Sequence, residues 1–149
     1  MASSSNNPIP LLRTRLDLLR TLRQLSAEQL DLILQEKTDE AGCVVDVKDA
    51  VVLRLEMWQK TNGHLLEDWN RIEADLESDA LQTCRELRQA TDRELAEFQK
   101  NETESRTRLQ QQRDRVTAEL SSLARGAETL SAYENSTSSS SRLAFDVNQ

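Results

Sequence analysis

Apolar residues recur along this chain at steps of three and four rather than in strand-like alternation. In "LLRTRLDLLRTLRQLSAEQLDLILQEK", residues 11–37, the leucines and Ile33 spread over roughly half of a helix circumference at about 100° per residue. A face this wide predicts a first helix that touches two neighbours, with Arg13, Asp17, Arg20, Gln24 and Asp31 left as its solvated side. Asn7 is placed to cap it, and Pro8 and Pro10 fall in the first turn, where a missing N–H does no harm.

The segment "TDEAGC", residues 38–43, interrupts this pattern. Two readings fit. Thr38 caps a second helix, with Asp39 and Glu40 at its positive end, or Gly42 closes the first. The second helix therefore starts between about 39 and 46. Val44, Val47, Val51, Leu55 and Trp58 mark its buried face, and Lys48, Asp49, Arg54 and Glu56 fit a polar face. "TNGH" at 61–64 is a strong breaker, yet the period runs on through Trp58, Asn62, Leu65, Trp69, Ile72 and Leu76, so a kink and a full break both remain open.

A turn at "ESDALQ", residues 77–82, leads into a third helix from about Asp79 to Leu130. Val116, Leu120, Leu123, Ala127 and Leu130 step 4, 3, 4, 3, the spacing of a coiled-coil seam. Between Gln99 and Arg115 the seam holds only Leu109. Fifty helical residues span about 75 Å and thirty span about 45 Å. Helix 1 cannot cover helix 3, which must bend at the polar stretch or carry part of its seam past the bundle. The predicted fold is all-α: an antiparallel three-helix, coiled-coil-like bundle with a long C-terminal helix and flexible termini. Residues 1–7 form a lead, 8–133 the bundle and 134–149 a Ser-rich tail.

Composition narrows the function classes. Three Gly and two Pro leave few places to turn, and 3% aromatic residues argue against both a β-sandwich core and base-stacking modules. The net charge of −7 is uneven: residues 39–80 carry eleven acidic against four basic residues, while 81–135 carry ten against nine. An acidic surface repels phosphate backbones, so no nucleic-acid partner is expected. No apolar run nears the roughly 20 residues of a membrane span, and "MASSSNNPIP" lacks the basic start and apolar core of a signal peptide. A cytoplasmic location and no membrane insertion follow as expectations.

Catalytic chemistry finds little to stand on. Cys43 and Cys84 have no partner at metal-ligand spacing and read as small buried hydrophobes. The one histidine, His64, reads as a surface or capping residue. Glu67/Asp68 and Glu73/Glu77 read as helix-surface charges, with nothing apolar around them to raise a pKa. Trp58 and Trp69, eleven residues apart, read as core. No enzyme activity, cofactor or metal is predicted. The end of the chain is more suggestive. "ENSTSSSS" cannot bury enough to order itself, but Tyr133 precedes it, and Leu143 and Phe145 follow. Burying one aromatic gains about 5 kcal/mol gross, while ordering a dozen residues costs about 1–2 kcal/mol each. Contacts through such a tail are weak and transient.

The pattern resembles FlgN-type flagellar export chaperones. "AEQLDLILQEKTDEAGCVVDVKDAVVLRL" is similar to that family's passage from first to second helix, with Lys48 at the position of its usual Lys. "VTAELSSLARGAETLSAY" resembles its C-terminal client-binding helix and trailing Tyr, and "RLAFD" its short terminal patch. Asn101 stands alone where the family often carries a paired Asn motif. The resemblance implies a secretion chaperone that holds the C-terminal helical segment of hook–filament junction proteins and presents it to the flagellar export gate. The client seam would then be Leu109, Val116, Leu120, Leu123, Ala127 and Leu130, and the gate contact Tyr133 and Phe145. The rival reading is a coiled-coil adaptor whose seam closes on its own copy as a homodimer.

Overall fold

The computed structural model describes residues 7–147, with side chains described through Thr137. Every element is helical: α1 (Ile9–Leu34), α2 (Thr38–Glu67), α3 (Trp69–Ala74) and α4 (Ser78–Val147). The chain is all-α, with four helices among the described residues where the sequence predicts three. It divides into two compact units, Met1–Arg108 and Leu109–Gln149. That division falls inside the polar stretch 99–115.

The start of α1 follows the sequence in part: Asn7 accepts from the first turn as expected, but the capping position falls to Pro8 rather than to Asn7. The Ile9 N–H donates to Asn7 Oδ1 at 3.1 Å, and Pro10 sits in the first turn. The α1–α2 turn does not follow it. Glu36 adopts the left-handed conformation at φ 59°, its N–H donates to Ile33 O at 3.0 Å, and the Lys37 N–H donates to Leu32 O at 2.9 Å. This pair of bonds is a Schellman closure, which satisfies carbonyls that the last helical turn would leave unpaired. Thr38 is the first residue of α2 rather than its cap, and Gly42 lies inside that helix rather than ending α1.

The "TNGH" segment is also helical. α2 runs through 61–64 and stops at Asp68, whose φ of −94° and ψ of 19° let α3 set off anew. Glycine in a helix interior costs only about 1 kcal/mol, and Leu65 and Trp69, both buried, hold the chain on the core across this region.

Two apolar clusters hold the first unit together. Leu12, Leu65, Trp69 and Cys84 form one, with Ile72 and Leu76 packed against it; Leu19, Leu22 and Val51 form the other, with Leu55 and Phe98. The buried positions of α1 (Leu12, Leu16, Leu19, Leu22, Ser26, Gln29, Ile33) serve both α2 and α4, as a wide apolar face requires. Gln29 meets Lys48 and Leu11 meets Trp58, so α1 and α2 run antiparallel. Leu12 packs with Cys84 and Ser26 meets Asn101, so this part of α4 runs parallel to α1. Both tryptophans are core, each 6% exposed, and the Trp58 indole N–H donates to Leu11 O at 3.1 Å.

Three sequence expectations are corrected here. Val47 is 54% exposed and Lys48 takes the buried position instead. Steps of 44–47–51 and 44–48–51 fit a helical face equally well, and the acceptors facing Lys48 decide between them. Cys43 is exposed, because the neighbouring Ala41 and Val44 occupy the packed face. α4 continues as helix past the expected end at Leu130, through the serine run, to Val147. Extending an existing helix fixes one residue per hydrogen bond, and serine is only moderately worse at it than alanine.

Candidate binding surface

α4 changes character along its length. In the first unit Cys84, Thr91, Phe98 and Ser105 recur every seven residues, and all but Phe98 are fully buried, Phe98 being packed against the second cluster. From Arg113 to Thr137 every residue is exposed. Within this second unit Leu109 is half-buried, while Val116 is 50%, Leu120 61%, Leu123 70% and Leu130 59% exposed; Ala127 is exposed as well. At 100° per residue, these six side chains leave the helix within a sector about 80° wide. The structure thus places all six predicted seam residues on one face and leaves five of them open, Leu109 being half-buried.

Tyr133, 70% exposed, falls about 60° beyond Leu130 and so outside the strip. Phe145 lies outside the residues whose side chains are described. The lead expected at residues 1–7 falls almost wholly outside the described residues.

The most ordered polar chemistry lies elsewhere, inside the first unit. Lys48 Nζ donates to Gln29 Oε1 and to Glu102 Oε1, both at 2.7 Å. Asn101 Nδ2 donates to Ser26 Oγ at 3.0 Å, and Ser26 Oγ donates to Arg23 O at 2.7 Å. Arg23 pairs with Glu94, which Arg20 also approaches at 3.9 Å. Thus α1, α2 and α4 are tied by charge-assisted bonds where apolar side chains run out. Sequence reading missed this network. Its only trace was the polar residues (Ser26, Gln29, Lys48) at positions where the heptad step calls for apolar ones.

Two arginines lie over the tryptophans: the Arg15 guanidinium is 5.3 Å from the Trp58 ring centre and that of Arg88 is 4.7 Å from Trp69. Burial foremost, and then the Arg88 charge, lower the pKa of Arg15, while Asp92 partly offsets them. Arg15 Nε and Ser105 Oγ are buried without a hydrogen-bond partner. Burial pushes the Cys84 thiol up, which keeps it protonated and unreactive. Glu73, one of the carboxylates weighed for acid–base work, pairs with Arg85 at 2.8 Å.

Among the described residues, no group of three His, Cys, Asp or Glu is placed to hold a metal, and no helix is long and apolar enough to cross a membrane. Glu36 to Glu40 line a depression at the α1–α2 turn that is open to solvent. Comparison with known proteins leaves the geometry to speak alone: no family model, no curated protein and no solved structure matches the chain.

Proposed function

We propose that this chain is a non-enzymatic, cytoplasmic export chaperone of the FlgN type. It holds the C-terminal helical segment of hook–filament junction proteins against Leu109, Val116, Leu120, Leu123, Ala127 and Leu130 and delivers them to the flagellar export gate. The observation that carries this reading is the strip itself. Leu120 and Leu123, 61% and 70% exposed, lie on one apolar face with Val116, Ala127 and Leu130. Leucine side chains repay burial with about 1.5–3 kcal/mol each when fully covered. Once the costs of association are deducted, a few of them support a reversible complex.

The bundle fits the same reading. Packed positions on α2 alternate by three and four through Ala41, Val44, Lys48, Val51, Leu55 and Trp58. That alternation is the spacing of an antiparallel three-helix, coiled-coil-like scaffold, and the strip repeats it for an amphipathic partner helix. Tyr133 sits off the strip, which leaves it free to meet the gate while a client is held; Phe145 is the second proposed gate contact.

The test separates holding from delivery. Leu120→Asp combined with Leu123→Asp abolishes capture of the client's C-terminal segment while circular dichroism of the chain stays mostly unchanged, since neither side chain is packed against the rest of its own chain. Retained capture would end the proposal, and so would a collapse of helicity. Tyr133→Ala impairs secretion and leaves capture intact.

A further inference from the structure

We infer that, before a client arrives, the strip is covered by the same strip of a second copy lying antiparallel to it. The inference takes the surface proposed above for the client and rests on that reading only in naming what later displaces the second copy. Its ground is the sign and position of the charges that interrupt the strip. Continuing the 4, 3, 4, 3 step outward from Val116 and Leu130 reaches Arg113 at one end and Glu134 at the other. Both are exposed. The five strip residues from Val116 to Leu130 are therefore bracketed by a cation and an anion, with Leu109 one step beyond the cation.

Antiparallel alignment satisfies both ends at once. With Leu120 opposite the partner's Leu123, Val116 lies opposite the partner's Ala127 and Arg113 opposite the partner's Leu130. The partner's Glu134 then stands four residues further along, level with Leu109 and about 6 Å away along the axis, within reach of a guanidinium. Two-fold symmetry makes the same pair again at the other end, and closes the assembly at two copies. Parallel alignment instead sets Arg113 against the partner's Arg113 and Glu134 against the partner's Glu134. Positions flanking the seam, such as Thr117, Ala124 and Ser131, are uncharged, with Glu119 the exception. They give no competing instruction, so the charges within the seam set the direction. The leucines supply the affinity and are indifferent to direction; the ion pairs choose it.

The test uses the full chain alone, followed by sedimentation equilibrium over a broad concentration series. The wild type passes from monomer to dimer. Arg113→Glu and Glu134→Arg each weaken the dimer about tenfold, because each puts like charges together at both ends. The double variant, Arg113→Glu with Glu134→Arg, regains wild-type association. A chain that stays monomeric throughout overturns the inference, as does a double variant weakened as much as the singles or more. Client capture is measured separately on the same proteins. Capture by a strictly monomeric chain would remove self-pairing and spare the chaperone reading, whereas self-pairing with charge-swap rescue and no capture would do the reverse.

Discussion

Lys48 is the residue where pattern and environment disagree most. On α2 it sits between Val44 and Val51 on the packed face, 8% exposed, with its ammonium held by Gln29 and Glu102. Burying a charge is costly unless it is paired and hydrogen-bonded. The compensation comes from α1 and α4, far away in sequence. Removing one partner leaves the others stranded, so Lys48→Ala destabilises the protein by about 2–3 kcal/mol. Replacing the set with apolar side chains (Gln29→Leu, Lys48→Met, Glu102→Leu) is neutral or stabilising. Urea denaturation followed by circular dichroism checks both. A silent Lys48→Ala would mean that the network carries no stability. The same logic explains why the sequence misplaced Val47: hydropathy ranks valine above lysine, but two facing oxygens reverse the preference.

At the scale of the element, helix ends were less legible than helix interiors. Both proposed signals at residues 38–43, a Thr cap and a Gly stop, were chemically sound, yet the turn uses neither. Instead Glu36 takes the left-handed conformation, which L-residues other than glycine adopt at a cost of about 1 kcal/mol or more. The Schellman bonds from Glu36 and Lys37 hold it there. Glu36→Gly therefore raises stability by roughly 0.5–1 kcal/mol, read as a higher unfolding midpoint at unchanged slope in urea. A lower midpoint would mean that the glutamate side chain contributes more than its backbone strain costs. At "TNGH" the opposite lesson holds. Breaker residues did not break α2, because Leu65 and Trp69 bury the next turns and packing outweighs a propensity penalty of about 1 kcal/mol.

The whole molecule separates a packed unit from an exposed one. Both apolar clusters and the Lys48 network lie within residues 1–108, while residues 113–137 are exposed throughout. Stability therefore resides in the first unit. A chain ended after Arg108 keeps its thermal midpoint within about 3 °C of the full-length value, since little packed surface is lost. Compared at a concentration where the full-length chain is monomeric, a drop of about 10 °C or more would place part of the core beyond Arg108 and undercut the idea of an open strip. The same division sets the two parts of one helix apart. Where α4 faces Leu12 and Leu19 its seam is core; where no side chain of the described structure covers it, an equivalent seam is exposed, and on the proposed reading a partner helix covers it.

Helix content, the wide face of α1, the long run of α4 and the grouping of Leu109, Val116, Leu120, Leu123, Ala127 and Leu130 on one side were all determined by the sequence, because they depend on the 3.6-residue period alone. So was the opposite sign of Arg113 and Glu134. Tertiary structure decided the rest. It chose Lys48 over Val47 for the interior, buried Cys84 and exposed Cys43, moved the helix break from 61–64 to Asp68, and left the last seam uncovered while sheltering the others. The physical reason is the same in each case: a period fixes which side chains share a face, but only the neighbouring helices determine whether that face meets apolar carbon, a polar partner or water.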